Sequence, residues 1–171
     1  MGQVILDFKN ISGIFSPADA EPILYELGQR HIPMKDISVL MSETTGNTLI
    51  KMSGSNKAPE GATIGGISGG IIGGIIGSLV LAGSILAPGI GVLVAGPLVG
   101  ALAGTAAGVG AGGVLGGLIG LGIPEREAKY YEDALKEEGN MMIAARVPKE
   151  VTPEIKALFE QFEGKNLHIS N

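Results

Sequence analysis

Hydrophobic and polar positions divide this chain into two patterned flanks and an unpatterned apolar middle. In the first flank, Ile11 to Phe15 reads as a short strand and Ser16-Pro17-Ala18-Asp19 as a helix start. Ala20, Ile23, Leu24 and Leu27 then recur at the spacing of one helical face. Pro22 fits that helix if Asp19 is the N-cap, because the ring then sits in the first turn, where its missing N–H is not needed. Gly28 and Pro33 end the element. Asp36 to Met41 alternates as a strand, with Ile37, Val39 and Met41 on one face. Thr48 to Met52 is a further candidate strand after a turn at Thr45-Gly46-Asn47, and Ser53 to Glu60 reads as a linker.

The second flank begins at Pro124-Glu125-Arg126-Glu127, a helix start with proline and acids in its first turn. Ala128, Tyr131 and Leu135 share that helix's buried face, and Gly139 stops it. Asn140 to Arg146 is a strand. Thr152-Pro153-Glu154 caps a last helix in which Ile155, Leu158, Phe159 and Phe162 repeat at helical spacing, and Leu167 to Ile169 adds a final strand. The order is β-α-β, a possible further strand, the apolar middle, then α-β-α-β. It predicts a small α+β sandwich of ferredoxin-like kind, with residues 1–60 and 124–171 as its two halves.

The middle, Gly61 to Ile123, runs 63 residues without a charged side chain and holds 22 of the 29 glycines. Gly61, Gly65, Gly69, Gly73 and Gly77 form one series spaced by four, and Gly96, Gly100, Gly104, Gly108, Gly112, Gly116 and Gly120 form another. On a helix each series is a groove that admits a second backbone, the small-xxx-small pattern of helices packed in membranes. Ala87 to Gly91, with Pro88, Gly89 and Gly91, is the strong turn signal, which divides the segment into arms at 61–86 and 92–122. As helices these arms would be about 39 and 46 Å long, enough to cross a hydrocarbon core of about 30 Å. The expectation is a glycine-zipper transmembrane hairpin that associates with copies of itself. Lys51, Lys57, Arg126 and Lys129 near its ends place both flanks in the cytoplasm. The competing reading is a soluble shell, ring or filament in which such hairpins bury one another. A pore is disfavoured because the arms carry no polar stripe.

Composition narrows the chemistry. The 171 residues carry a net charge of −5, shared nearly evenly by the flanks, so no basic surface recommends nucleic acid as a partner. Cysteine is absent, which removes disulfides, thiolate metal sites and cysteine nucleophiles. The first residues have neither a basic, apolar secretion signal nor the myristoylation pattern. Gly108-Val-Gly110-Ala-Gly112-Gly113, with Asp133 beyond it, matches a dinucleotide fingerprint, but the match is cheap in so glycine-rich a segment. His31 and His168 stand alone without a second ligand at metal spacing. The acids from Glu125 to Glu138 alternate with Arg126, Lys129 and Lys136 as on a solvated helix face. Tyr131 reads as core, and Tyr130 as a surface or membrane-interface residue. No catalytic grouping, cofactor site or metal site emerges, and the expectation is a protein that is not an enzyme.

Three stretches carry a resemblance. Ser12-Gly-Ile-Phe-Ser-Pro-Ala-Asp-Ala-Glu, Leu27-Gly and Lys35-Asp-Ile-Ser-Val-Leu resemble the bacterial general-stress or heat-induced protein domain. The middle around Pro88 to Gly91 and Ala95 to Leu98, and the exit Gly120-Leu-Gly-Ile-Pro-Glu-Arg-Glu-Ala-Lys-Tyr-Tyr, are similar to the Gly-rich membrane proteins often joined to it. The resemblance implies a stress-associated membrane protein of unknown biochemical activity and supplies no catalytic residues; joined to the hairpin reading, the expectation is a homo-oligomer in contact with lipid that scaffolds or stabilises membrane. Pro22 and the tail from Pro148 depart from the pattern.

Overall fold

Strand β1 (Phe8–Phe15) is the centre on which the two flanks meet. The computed structural model describes residues 7–42, 44–46, 85–86, 92–95, 113–120, 122–137 and 139–170. After β1 come helix α1 (Pro17–Gln29), strand β2 (Ile37–Ser42), two short strands β3 (Ile85–Leu86) and β4 (Val92–Ala95), and helices α2 (Gly113–Gly120) and α3 (Glu125–Lys136). Strand β5 (Met141–Pro148), helix α4 (Thr152–Gln161) and strand β6 (Lys165–Ser170) complete the order. The fold is α+β. Strands β2, β5, β1 and β6 form an antiparallel sheet in that order, and the β3–β4 pair extends it beyond β2.

Alternation along the strands gives the sheet two apolar faces, each covered by two helices. On one face Ile11, Phe15, Ile37, Val39, Met41, Ile143, Ala145 and Val147 meet Ala20, Ile23, Leu24 and Leu27 of α1 and Ile155, Leu158 and Phe159 of α4. On the other, Ile14, Leu40 and Met142 meet Val114 and Leu118 of α2 and Ala128, Tyr131 and Leu135 of α3. The tail from Pro148 is therefore integral: α4 supplies core and β6 pairs with β1. Arg30 at the end of α1 pairs with Glu26 and, at 2.8 Å, with Glu154 of α4, which ties the two helices together at the surface.

The middle of the chain departs from the expectation. The last residues of the proposed first arm, Ile85–Leu86, and the first of the second, Val92–Ala95, are strands paired in antiparallel register, Ile85 with Val94 and Leu86 with Leu93. β4 also pairs with β2, from Val39–Ala95 to Ser42–Val92. An apolar run of four residues without polar alternation serves a sheet as well as a helix, and the open edge of β2 decides in favour of the sheet. Helix α2 has eight residues, about 12 Å of rise. Among the described residues no helix is long and apolar enough to cross a membrane. Continuous transmembrane arms at 61–86 and 92–122 are overturned, and with them the glycine-zipper transmembrane hairpin; the membrane placement that rested on it is left without support. The proposed strand at Thr48–Met52 and the turn residues Pro88, Gly89 and Gly91 lie outside the described residues.

Helix ends differ in an instructive way. The N-cap of α1 is Ser16, not Asp19: its hydroxyl donates to the Asp19 carboxylate at 2.6 Å and accepts from the Asp19 N–H at 3.4 Å. Pro22 therefore lies inside the helix, where it forfeits one backbone bond. Thr152 does not cap α4 but is its first residue, and its hydroxyl donates to the Pro148 carbonyl at 3.2 Å. Three helices end in the same paired closure. Ile32 N–H bonds to Leu27 and His31 to Gly28 after α1, Ile123 to Leu118 and Gly122 to Ile119 after α2, and Gly164 to Phe159 and Glu163 to Glu160 after α4. The left-handed residue of each closure is His31 (φ 60°), Gly122 (φ 83°) and Glu163 (φ 52°). Only one is glycine, so Gly28 does not stop α1. Because a side chain at such a φ costs free energy, His31→Gly should stabilise the protein by about 0.5–1 kcal/mol in urea unfolding. An unchanged or lowered midpoint would mean that the His31 side chain offsets its backbone.

Candidate functional site

Most of the glycines expected to carry packing, Gly61 to Gly77 and Gly96 to Gly112, lie outside the described residues. Gly116 and Gly120 lie on α2. That helix turns Val114 and Leu118 onto the sheet and leaves Ile119, 42% exposed, with Gly120 on its outer side. A Cβ built at Gly116 or Gly120 would meet nothing within 4 Å, so no described segment occupies the groove these glycines form. On the neighbouring α3, Tyr130 is likewise exposed, its ring edge-on to Tyr131 at 6.1 Å, while Tyr131 is fully buried. The outer surface of α2 is thus apolar and small-featured, without a charge of its own.

A second feature lies on the same side of the sheet, beyond the end of the α2–α3 cover. There the alternation that puts Ile14, Leu40 and Met142 under the helices continues as Ser12 and Asn10 on β1, Ser38 on β2, and Ala144 and Arg146 on β5. Register aligns them. Asn10 lies opposite Arg146 on one side and Ser170 on the other, and Ser12 lies between Ala144 and His168. Asn10, Ser12, Ser38, Arg146 and Ser170, with Asp36 just before β2, line a cavity of about 70 Å³ whose apolar wall is Ile123, Met142 and Ala144. Ser12 and Ser38 are both 3% exposed and Ser170 is 9% exposed, so three hydroxyls lie buried at a place the sequence pattern would have filled with aliphatic groups.

Two arrangements hold this region in shape. The Arg146 guanidinium stacks over the Phe8 ring, 4.6 Å from its centroid, which fixes a long side chain that would otherwise be free in solvent. Where β6 passes β1, the register shifts between Ser12–His168 and Ile14–Lys165, so β6 spends an extra residue and Asn166 takes a left-handed φ of 51°. The Tyr131 hydroxyl meets the displaced Asn166 carbonyl at 2.5 Å and Ser12 Oγ at 3.2 Å. With the phenol donating to Asn166, Ser12 donates to the phenolic oxygen. Burial pushes the Tyr131 hydroxyl up to about 12, chiefly because its anion would have no water around it.

None of these cavity residues stood out in the sequence. The legible signal was polar residues at the outer ends of alternating strands, Asn10-x-Ser12 in β1 and Arg146 after Met142-x-Ala144 in β5. His168 is within β6 beside Ser12, and His31 is the exposed turn after α1, so the two histidines belong to different places. Among the described residues no three or more His, Asp or Glu side chains converge as a metal site. Comparisons of the chain with protein-family models, with curated proteins and with solved structures found no match.

Proposed function

We propose that this chain is a non-enzymatic, self-associating α+β protein whose units pack through the uncharged middle of the sequence into a shell, ring or filament. The observation that carries the reading is the outer side of α2, where Gly116 and Gly120 present open space and Ile119 is exposed. A second copy of the chain is the partner that fits. The surface continues a 63-residue stretch with no charge to recognise a charged partner, and every copy brings the same apolar surface. The strand order β2-β5-β1-β6, with α1 and α4 on one face, supports a ferredoxin-like core for each unit. The resemblance of Ser12 to Leu40 to the general-stress domain adds a stress-associated role to the proposal, and those residues supply β1, α1 and β2.

The test is the mass of the full chain by light scattering without detergent, beside a Gly116→Lys variant. Lysine is a better helix former than glycine, and its side chain meets open space in the single unit, so the fold tolerates it. In an interface it would bury a charge. The expected result is a wild-type particle many times the 17.4 kDa chain, and a variant whose assembly requires about tenfold more protein or more. A wild-type chain that stays monomeric at all concentrations overturns the proposal. Equal assembly of the variant removes α2 from the interface.

A further inference from the structure

We propose that the cavity bounded by Asn10, Asp36, Arg146 and Ser170 binds a small free amino acid, with its carboxylate toward Arg146, Asn10 and Ser170 and its ammonium toward Asp36. The inference goes beyond self-association and does not depend on it.

Charge selects the ligand class. A guanidinium offers five N–H donors, and the Phe8 ring beneath it accepts none of them as a conventional hydrogen bond. Among the described residues Arg146 takes part in no ion pair, although Asp36 lines the same cavity. Ile37 is in register with Ala145, so Asp36 and Arg146 flank the same end of the β2–β5 pair and still remain more than an ion-pair distance apart. A doubly charged phosphate at Arg146 would face the Asp36 carboxylate. A metal cation at Asp36 would face the guanidinium. A molecule with a carboxylate at one end and an ammonium at the other matches both walls.

Polar satisfaction points the same way. Ser170 is nine-tenths buried and lines the cavity, yet its hydroxyl makes no side-chain hydrogen bond to any described residue. Asn10, between Arg146 and Ser170 in the register, likewise has no such bond from its amide. Donors from three adjacent strands, each about 4.8 Å from the next, thus line one cavity, and a carboxylate spans neighbouring strands.

Size then limits the ligand. A volume of about 70 Å³ compares with roughly 300 Å³ for the smallest ordinary cofactor pockets, so nucleotides and larger cofactors do not fit inside it. The apolar wall of Ile123, Met142 and Ala144 suits a hydrogen or methyl side chain, which makes glycine and alanine the natural probes.

Calorimetric titration of the full chain with L-alanine, glycine, acetate, ethylamine and inorganic phosphate tests the assignment. Alanine or glycine should bind saturably at one site per chain, more tightly than the other probes. Arg146→Met replaces the guanidinium with an uncharged side chain and should weaken alanine by about tenfold or more. Asp36→Asn should weaken alanine to a similar extent and leave acetate unchanged. Unfolding midpoint and particle mass, measured on each variant, separate lost binding from lost folding. If Arg146→Met does not fold, the contrast between alanine and acetate in Asp36→Asn still decides. The proposal is overturned if no probe gives saturable heat, which leaves a cavity for water alone. Acetate or phosphate binding as tightly as alanine, or Asp36→Asn leaving alanine affinity intact, would also overturn it.

Discussion

Phe159→Ala is expected to lower the unfolding free energy by about 3–5 kcal/mol, a large part of the 5–15 kcal/mol that holds a typical domain together. Phe159 is fully buried on the face of α4 that meets the sheet, and its ring stands edge-to-face on Phe15 with centroids 5.0 Å apart and planes at 79°. The site is poorly able to collapse into the space left behind. Phe15 is itself confined, because a Cβ at Gly164 would come within 2.7 Å of both its ring and the Leu167 side chain. Loss of the ring therefore leaves a cavity between α4, β1 and the start of β6. Urea unfolding followed by far-UV circular dichroism, with wild type and variant at one protein concentration, gives the comparison. A change below about 1 kcal/mol would mean that this pair does not anchor the tail to the core.

Tyr131→Phe should cost about 1–3 kcal/mol at neutral pH while leaving the packing of α3 intact. The ring stays, but the buried Ser12 hydroxyl and the Asn166 carbonyl lose their common partner. The same hydroxyl gives an alkaline signature. Its folded value near 12 lies above the ordinary value of about 10, so the folded state holds a proton that the unfolded state releases. Tyr131 contributes full stability below pH 10, and loses it progressively as the pH rises through 12, by up to roughly 2–3 kcal/mol. Stability measured between pH 8 and 12 should fall more steeply for wild type than for Tyr131→Phe. Parallel curves would mean that Tyr131 ionises as easily in the folded chain as in the unfolded one.

What could be read from the sequence was whatever repeats within a single element. The faces formed by Ala20, Ile23, Leu24 and Leu27, by Ile37, Val39 and Met41, and by Ala128, Tyr131 and Leu135 are all buried as the spacing predicts. Errors arose where one residue type answers to two physical causes. Glycine signals a helix end, yet after α1, where Gly28 was the expected stop, the left-handed position belongs to His31, and after α4 it belongs to Glu163. Glycine at four-residue spacing also signals helix packing, yet Val92–Ala95 follows the edge of β2 into the sheet. The cavity was illegible for a third reason. Asn10, Asp36, Arg146 and Ser170 each look like an ordinary polar residue in its own segment, and only the pairing of β5 with β2 and of β1 with both β5 and β6 brings them to one place.

The position of β1 also orders events during synthesis. Its two hydrogen-bonding neighbours, β5 and β6, both lie beyond residue 140, and the nearest paired residues, Phe15 and Met141, are separated by most of the chain. At about 5–20 residues per second, a ribosome takes roughly 6–25 s to travel between them. Throughout that interval the first strand has neither neighbour, and the uncharged stretch emerges into solvent before the sheet that organises it can close. Nascent chains on one messenger therefore expose the same apolar segment together, side by side, well before any of them has a folded core.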